Sequence, residues 1–284
     1  MASLRNRLGA LRRRLRAASA RSVRRLRYGA EVSHFPVVFG NSMAKAGSHL
    51  LAQYLEGLTA ITPLLYLDPL PIRTITPGGR RQSVGWVVHE IRRLRPGEIR
   101  WGYLPGRPEY IEELLRKAQV VYFLYRDPRD KVVSHILYAL EIHKRHAMRE
   151  YYQDLPGMEE RIEATIRGVP GLVQNIRASY ESYLAWLDQP GVLAVAYEDL
   201  MENRDPTLRQ MLACLERGGV EIRNGQEDSL EVLRRAMSPQ RSPTYRAGSP
   251  GNWQHYFTEA NKRTFKEVAG DLLVRLRYEQ SLDW

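Results

Sequence analysis

The stretch that most restricts what this chain can become is Phe35–Leu55, FPVVFGNSMAKAGSHLLAQYL. Val37, Val38 and Phe39 form an apolar, β-prone run, and Gly40, Asn41, Ser42, Ala44, Ala46 and Gly47 are small or turn-forming. An apolar-periodic helix follows from Ser48 or His49. A strand, a tight loop and a helix start in that order gather unpaired first-turn amides where small residues let an anion come close. Lys45 adds a mobile full charge to the same loop. A Walker loop places its lysine after the second glycine, G-x-x-x-x-G-K-[ST], whereas Lys45 stands two residues before Gly47. The stretch therefore predicts a phosphate loop of a different order from that of ordinary ATPases and GTPases.

The second informative run is Val120-Val121-Tyr122-Phe123-Leu124-Tyr125, unbroken and apolar, as a strand covered on both faces requires. It ends in Arg126-Asp127-Pro128-Arg129-Asp130, where Asp127 reads as an N-cap, Pro128 as the first helical residue and Asp130 as a capping-box-like carboxylate. Arg126 then stands at the strand's C-terminal end, with Ser134 two turns into the helix. In an open parallel sheet that end is the ligand crevice. A guanidinium fork and a hydroxyl suit a dianionic phosphate; the competing reading is Arg126 paired with a helix-start carboxylate.

Between and after these runs the pattern is coarser. Residues 59–81 carry Pro63, Pro69, Pro71, Pro77, Gly78 and Gly79 and read as loop, a place where substrates are gripped. Gln82–Leu94 reads as a short helix containing His89, Ile99–Pro105 as a strand and turn, and Pro108–Lys117 as an amphipathic helix. Residues 141–170, rich in His and charge, read as a helical insertion or lid; His143 and His146 lack a matching second pair, so a solvated face is expected rather than a metal site. A helix over Val173–Leu187, a strand over Gly191–Ala196, the Cys214 helix opening at Asp205-Pro206, and a final helix over Glu259–Arg277 complete the reading. Cys214 is the only cysteine, which excludes an intrachain disulfide and Cys-rich metal sites and fits a reducing, cytoplasmic setting.

The formal charge of +11 suggests a nucleic-acid binder until it is localised. Residues 1–30 hold ten arginines and no acid, leaving +1 for residues 31–284, so the body is nearly neutral and no basic, aromatic-interleaved surface is expected on it. Leu4, Leu8, Leu11 and Leu15 recur at helical spacing among those arginines. This describes a basic amphipathic arm suited to an anionic membrane surface, although a transit peptide shares the composition. The chain's 43% hydrophobic content and its 284 residues support one domain plus the arm.

Lys45-Ala46-Gly47-Ser48-His49-Leu50 resembles the K-S-G-T-[TH]-L loop of the cytosolic-type sulfotransferases, which grips the 5′-phosphosulfate of PAPS (3′-phosphoadenosine 5′-phosphosulfate). Arg126 with Ser134 eight residues on resembles the family's 3′-phosphate motif, and Tyr197-Glu198-Asp199-Leu200 is similar to its Y-E-D-L. Arg246-Ala247-Gly248-Ser249-Pro250-Gly251-Asn252-Trp253 resembles its R-K-G-x-x-G-[DN]-W segment, with Ala247 in place of the usual lysine. The resemblance spans about residues 35–277 and implies an α/β fold, a P-loop-like parallel sheet with helices on both faces. It implies PAPS as cofactor, PAP as product, and cofactor contacts from Lys45, Ala46, Gly47, Ser48, His49, Arg126, Ser134, Tyr197, Arg246, Ala247 and Gly248.

The family's base is a histidine in a K-T-H-L-P or G-H-L-P segment, and this chain has Tyr103 there. Sulfuryl transfer must align the acceptor with the leaving group, neutralise charge on the bridging oxygen and remove the acceptor's proton. Lys45 suits the second task without a metal; Tyr103 suits the third only if cations such as Arg100 and Arg107 lower its pKa from about 10. Asp68 and His89 are alternative bases. The reading is a sulfotransferase acting on a hydroxyl or amine of a small-molecule or lipid acceptor. Its rivals are a catalytically silent PAPS-binding scaffold at a membrane and, disfavoured by loop order, a nucleotide kinase.

Overall fold

The computed structural model describes residues 2–72, 82–238, 241 and 249–284, with side chains from residue 15 onward. Apolar segments pair into one parallel sheet: β1 (Val38–Ser42), β2 (Leu65–Tyr66), β3 (Glu98–Gly102), β4 (Val120–Tyr125) and β5 (Val192–Ala196), in the order β2-β3-β1-β4-β5. Along β1 and β4 alternate residues go to opposite faces. Val38, Val120, Tyr122 and Leu124 enter one core, and Phe39, Val121 and Phe123 enter the other. β4 is buried on both faces, which explains why it shows no polar alternation.

On the first face lie α2 (Ser48–Ile61), α10 (Arg204–Arg217) and α11 (Gln226–Ala236), through Leu51, Leu55, Met211 and Leu233. The second face is covered by α3 (Val84–Arg92), α4 (Pro108–Lys117), α5 (Pro128–Leu137), α7 (Met158–Arg167), α8 (Ile176–Leu184) and α12 (Glu259–Arg275). This is the expected α/β architecture with helices on both faces. The short helices α6 (Arg149–Asp154) and α9 (Tyr197–Glu202) bridge the remainder, and α1 (Ala2–Tyr28) precedes the sheet. Among the described residues no helix is long and apolar enough to cross a membrane.

Two expectations need correction. Part of the 59–81 loop is ordered as element: α2 continues to Ile61, and β2 pairs with β3 at Leu65↔Glu98 and Tyr66↔Ile99. A two-residue strand carries too little alternation to be read; positions 73–81 of that loop lie outside the described residues. The capping box at Asp127–Asp130 does not form. Asp127 caps as expected, accepting from Arg129 N at 2.8 Å, but its own amide donates to Glu198 Oε1 at 3.1 Å, while Asp130 turns to the C-terminal segment.

The chain runs β1, then outward to β2 and back to β3 on one side, and crosses over to β4 on the other. The order therefore reverses between β1 and β4, the place where open α/β sheets hold ligands outside the strand ends. A side-chain clip fixes the neighbouring β3 turn. Fully buried Asn41 donates from Nδ2 to Leu104 O at 2.9 Å and accepts from Leu104 N at 2.8 Å, and Trp186 Nε1 donates to the same carbonyl at 2.8 Å. Replacing Asn41 with Leu strands the buried Leu104 amide, and the expected loss is about 1–3 kcal/mol in urea unfolding; an unchanged midpoint would show that the clip contributes nothing.

Candidate active site

The β1–α2 loop is built by left-handed backbone. Lys45 has φ 68° and Gly47 φ 91°, an unusual pair in which one residue is not glycine. Met43 N donates to Leu124 O at 3.3 Å and Ala46 N to Met43 O at 3.2 Å, so the loop is tied to β4 and folded upon itself. Gly47 is required twice over. Its φ is left-handed, and a Cβ there would sit 2.4 Å from Tyr197 Cδ2. Ser48 begins α2; Leu50 N and Leu51 N donate to Gly47 O at 2.8 and 3.2 Å, and the Ser48 and His49 amides precede these first helical bonds.

Two cations meet at this loop. Lys45 sets its Nζ 3.7 Å from the centre of the Tyr138 ring. Arg126, only 8% exposed, leaves the end of β4 and lays its guanidinium 4.5 Å from the Tyr197 ring centre. Burial, and then the charge of Arg126, bring the Lys45 ammonium down to about 8. The competing ion-pair reading of Arg126 is partly realised, because its Nη2 approaches Asp130 Oδ2 at 3.4 Å and its Nε lies 4.0 Å from Glu198 Oε1. Both contacts are long, and buried Nε has no hydrogen-bond partner. The carboxylates are better engaged elsewhere: Asp130 accepts from Gly251 N at 3.0 Å and Trp253 N at 2.8 Å, and Glu198 accepts from Tyr278 OH at 2.6 Å. Half-buried Ser134 stands two turns into α5.

Asp130 thereby draws the Gly251–Trp253 segment onto the start of α5. Arg129 fastens it, held by Asp127 Oδ2 at 2.7 Å and stacked 4.0 Å and 4.6 Å from the ring centres of Trp253 and Trp284. Three of the four recognised segments thus converge on the β1/β4 crevice. The remaining predicted residues, Arg246, Ala247 and Gly248, lie outside the described residues.

Tyr103 is close to the loop but is not the expected phenolate. Its hydroxyl shares a 2.8 Å hydrogen bond with Ser48 Oγ, and burial, the largest influence, pushes its ionisation up. Neither Arg100 nor Arg107 is among the groups that shift Tyr103; Arg100 feels the charges of Glu98 and Asp68, and Arg107 reaches Glu109 at 3.4 Å. Exposed Asp68 and exposed His89 are not among the groups that influence Lys45 or Tyr103.

Imidazoles surround Lys45 instead, which residue order alone did not reveal. After α5 the backbone opens into a π-helical turn, Tyr138–Ile142, of the kind often met at functional sites. It folds His146 to within 5.8 Å of the Tyr138 ring centre and 5.0 Å of that of His135. Burial and then Lys45 hold His49 below its usual range; His146 is lowered by burial, His143 and Lys45, and deeply placed His135 falls to about 3. His146 Nδ1 accepts from Met148 N at 3.2 Å, which leaves the neutral ring's proton on Nε2. His143 is exposed. Among the described residues no group of three or more His, Cys, Asp or Glu is arranged to hold a metal ion.

The family model described as "Sulfotransferase domain" matches residues 109–277. Among solved structures, the mouse sulfotransferase SULT7A1 complexed with PAP is similar at 16% identity, with TM-score 0.60 over 89% of this chain and 90% of that one. Retinol dehydratase in complex with androsterone and inactive cofactor PAP is similar at 17% identity, TM-score 0.53, over 87% and 84%. At such identity these likenesses concern the fold. No curated protein matches in sequence.

An ammonium lowered to about 8 makes a signed prediction for anion binding. A bound anion opposes both causes of the shift, so Lys45 is a stronger base in the complex than in the free protein. Affinity for inorganic sulfate should be nearly flat between about pH 7 and 8 and fall as pH rises above 8 toward the free lysine value of about 10.4, with proton uptake on binding there. Calorimetry in buffers of different ionisation enthalpy measures both, and Lys45→Arg should abolish the uptake. Binding that is level from pH 7 to well above 9 in the wild type would contradict the assignment, on the same scale of about one unit per tenfold change.

Proposed function

Because this chain belongs to the sulfotransferase domain family, we propose that it transfers the sulfuryl group of PAPS to a hydroxyl or amine of a small-molecule or lipid acceptor, releasing PAP. The observation that carries this reading is the juxtaposition at the β1/β4 switch of half-buried Lys45 and buried Arg126, whose neighbouring carboxylates are distant or otherwise engaged. A cofactor with phosphates at both ends of its ribose suits such a pair. The Lys45–His49 loop amides and the Lys45 ammonium would hold the 5′-phosphosulfate, and Arg126, Ser134 and the segment containing Arg246, Ala247 and Gly248 the 3′-phosphate. Tyr197, stacked on Arg126, would orient that guanidinium.

In the transfer, the acceptor oxygen bonds to sulfur as the bond from sulfur to the bridging phosphate oxygen breaks. Lys45 neutralises the charge left on that oxygen, and a base takes the acceptor's proton. We assign the base to His49 in place of Tyr103. His49 is half-buried, held neutral by burial and Lys45, and sits one residue beyond the serine that binds Tyr103. His146 presents a proton on Nε2, and His135 is too weakly basic. Tyr103 would instead fix Ser48 and the loop.

The cofactor assignment is tested by Arg126→Ala. The variant should lose about 1.5–3 kcal/mol of PAP affinity while AMP, lacking the 3′-phosphate, is nearly unaffected; equal losses in titration calorimetry would refute the assignment.

The base assignment is tested by rate. With a phenol acceptor, His49→Gln should slow transfer by about 10²–10⁴ with PAP affinity largely kept, and Tyr103→Phe should retain most of the rate. The reverse order would return the role to Tyr103. Tyr103 at the family's base position also favours a second reading, a PAPS-binding protein without transfer; tight PAP binding with no sulfated product from phenols, alcohols or amines would establish it.

A further inference from the structure

The first helix of the chain, α1, is inside out relative to an ordinary surface helix. Its face toward the body is formed by Ala17, Ala20, Arg21, Arg24 and Tyr28, spaced three or four apart, as neighbours on one side of a helix are. Arg21 Nε binds the buried carboxylate of Glu98 at 2.7 Å. Arg24, 8% exposed, rests 5.1 Å from the Phe35 ring centre and fills the space over Gly97, where a Cβ would lie 1.6 Å from its Nη2. Tyr28 packs edge-on against Phe35 at 5.5 Å.

The outward face is the apolar one. Leu15 is 61% exposed, Val23 63% and Leu26 87%, with exposed Arg16, Arg25 and Arg27 beside them. At 100° per residue, Leu4, Leu8 and Leu11 occupy helix positions on the same line as Leu15 and Leu26. α1 is a helix of 27 residues, about 40 Å long, and its described apolar side chains Leu15, Val23 and Leu26 are directed away from the domain.

Charge decides what can cover that line. With ten arginines and no acid within residues 1–30, a second copy of the helix would bring two strongly cationic surfaces together. An anionic lipid surface accepts both the leucines and the arginines. We propose that α1 is a membrane-docking helix that lies in the interface of an anionic bilayer, fixed to the domain by Arg21 and Arg24. Its attachment at Phe35, Gly97 and Glu98 is at the N-terminal ends of β1 and β3, opposite the ends that carry Lys45 and Arg126. Docking therefore leaves the cofactor crevice at the far end of the sheet from the anchor, and the inference stands independently of the proposed activity.

The experiment is co-sedimentation of the full chain with phosphatidylcholine vesicles containing or lacking phosphatidylserine, for the wild type and for the triple variant Leu15→Ser, Val23→Ser, Leu26→Ser. These side chains face solvent, so the variant should fold; an unchanged circular dichroism melt checks this. The wild type should partition onto phosphatidylserine vesicles at least tenfold more strongly than onto neutral ones, and the triple variant should lose most of that binding. Equal sedimentation of variant and wild type, or no preference for the anionic vesicles, would overturn the proposal. So would a concentration-dependent dimer in sedimentation velocity that the triple variant abolishes, since the stripe would then be covered by a second copy.

Discussion

Two like charges are held in one buried crevice, and most of the architecture can be understood from that constraint. Lys45 and Arg126 repel each other and are both partly stripped of water, an arrangement that lowers the lysine ammonium to about 8. Such a site is maintained only if the surroundings are rigid enough to prevent either side chain from relaxing into solvent. The tyrosine rings beside them supply part of this, since Tyr138 lies under the ammonium and Tyr197 under the guanidinium. The sheet supplies the rest, because β1 is paired with β4 over its whole length, from Val38↔Val120 to Ser42↔Leu124.

The carboxylates are arranged so that they do not cancel the site. Asp130 and Glu198 lie beside Arg126, yet each is taken by backbone amides or a tyrosine hydroxyl. Full pairing would leave Arg126 with no donors for a ligand; no pairing would leave an uncompensated buried charge. The same contacts close the fold. By accepting from Gly251 and Trp253, Asp130 joins the C-terminal region to the start of α5, and Arg129 between two tryptophans locks that junction. The open guanidinium of Arg126 and the closure of the fold by Arg129 and Asp130 thus lie within five residues of one another at the start of α5.

What was legible in the sequence follows from range. Lys45, Gly47 and Arg126 could be read because strand, loop and helix start are local signals carried by adjacent residues. Tyr103's lack of support was also readable, from strand alternation alone: Arg100 is three residues away, an odd spacing that puts it on the other face of β3, whereas Trp101 shares the face of Tyr103 and meets its ring at 5.7 Å. Asp130 was misread because a capping box is a local expectation, while its actual donors are more than a hundred residues distant. The imidazole wall was hidden for a related reason. A π-helical turn shifts the facing of every later residue, so helical periodicity could not place His146 beside His135. The orientation of α1 is also tertiary, since the arginines were expected outside and two of them are needed within.

The environment of Lys45 also bears on how proton removal is timed. Burial is the main influence that lowers His49, His135 and His146, and the charge of Lys45 adds to it at each of them. An anionic cofactor gripped by Lys45 and Arg126 would cancel that positive field at its source. The imidazole nearest the loop then becomes a stronger base in the loaded site than in the free one, because the ligand that supplies the transferable group also removes the repulsion suppressing it. A tyrosine at position 103 gains nothing from this coupling: the anion would raise a phenol that burial has already raised, and make it a poorer source of phenolate. On the proposed reading, a tyrosine in place of the family's histidine would leave proton removal to an imidazole, whose strength the occupancy of the crevice would help to set.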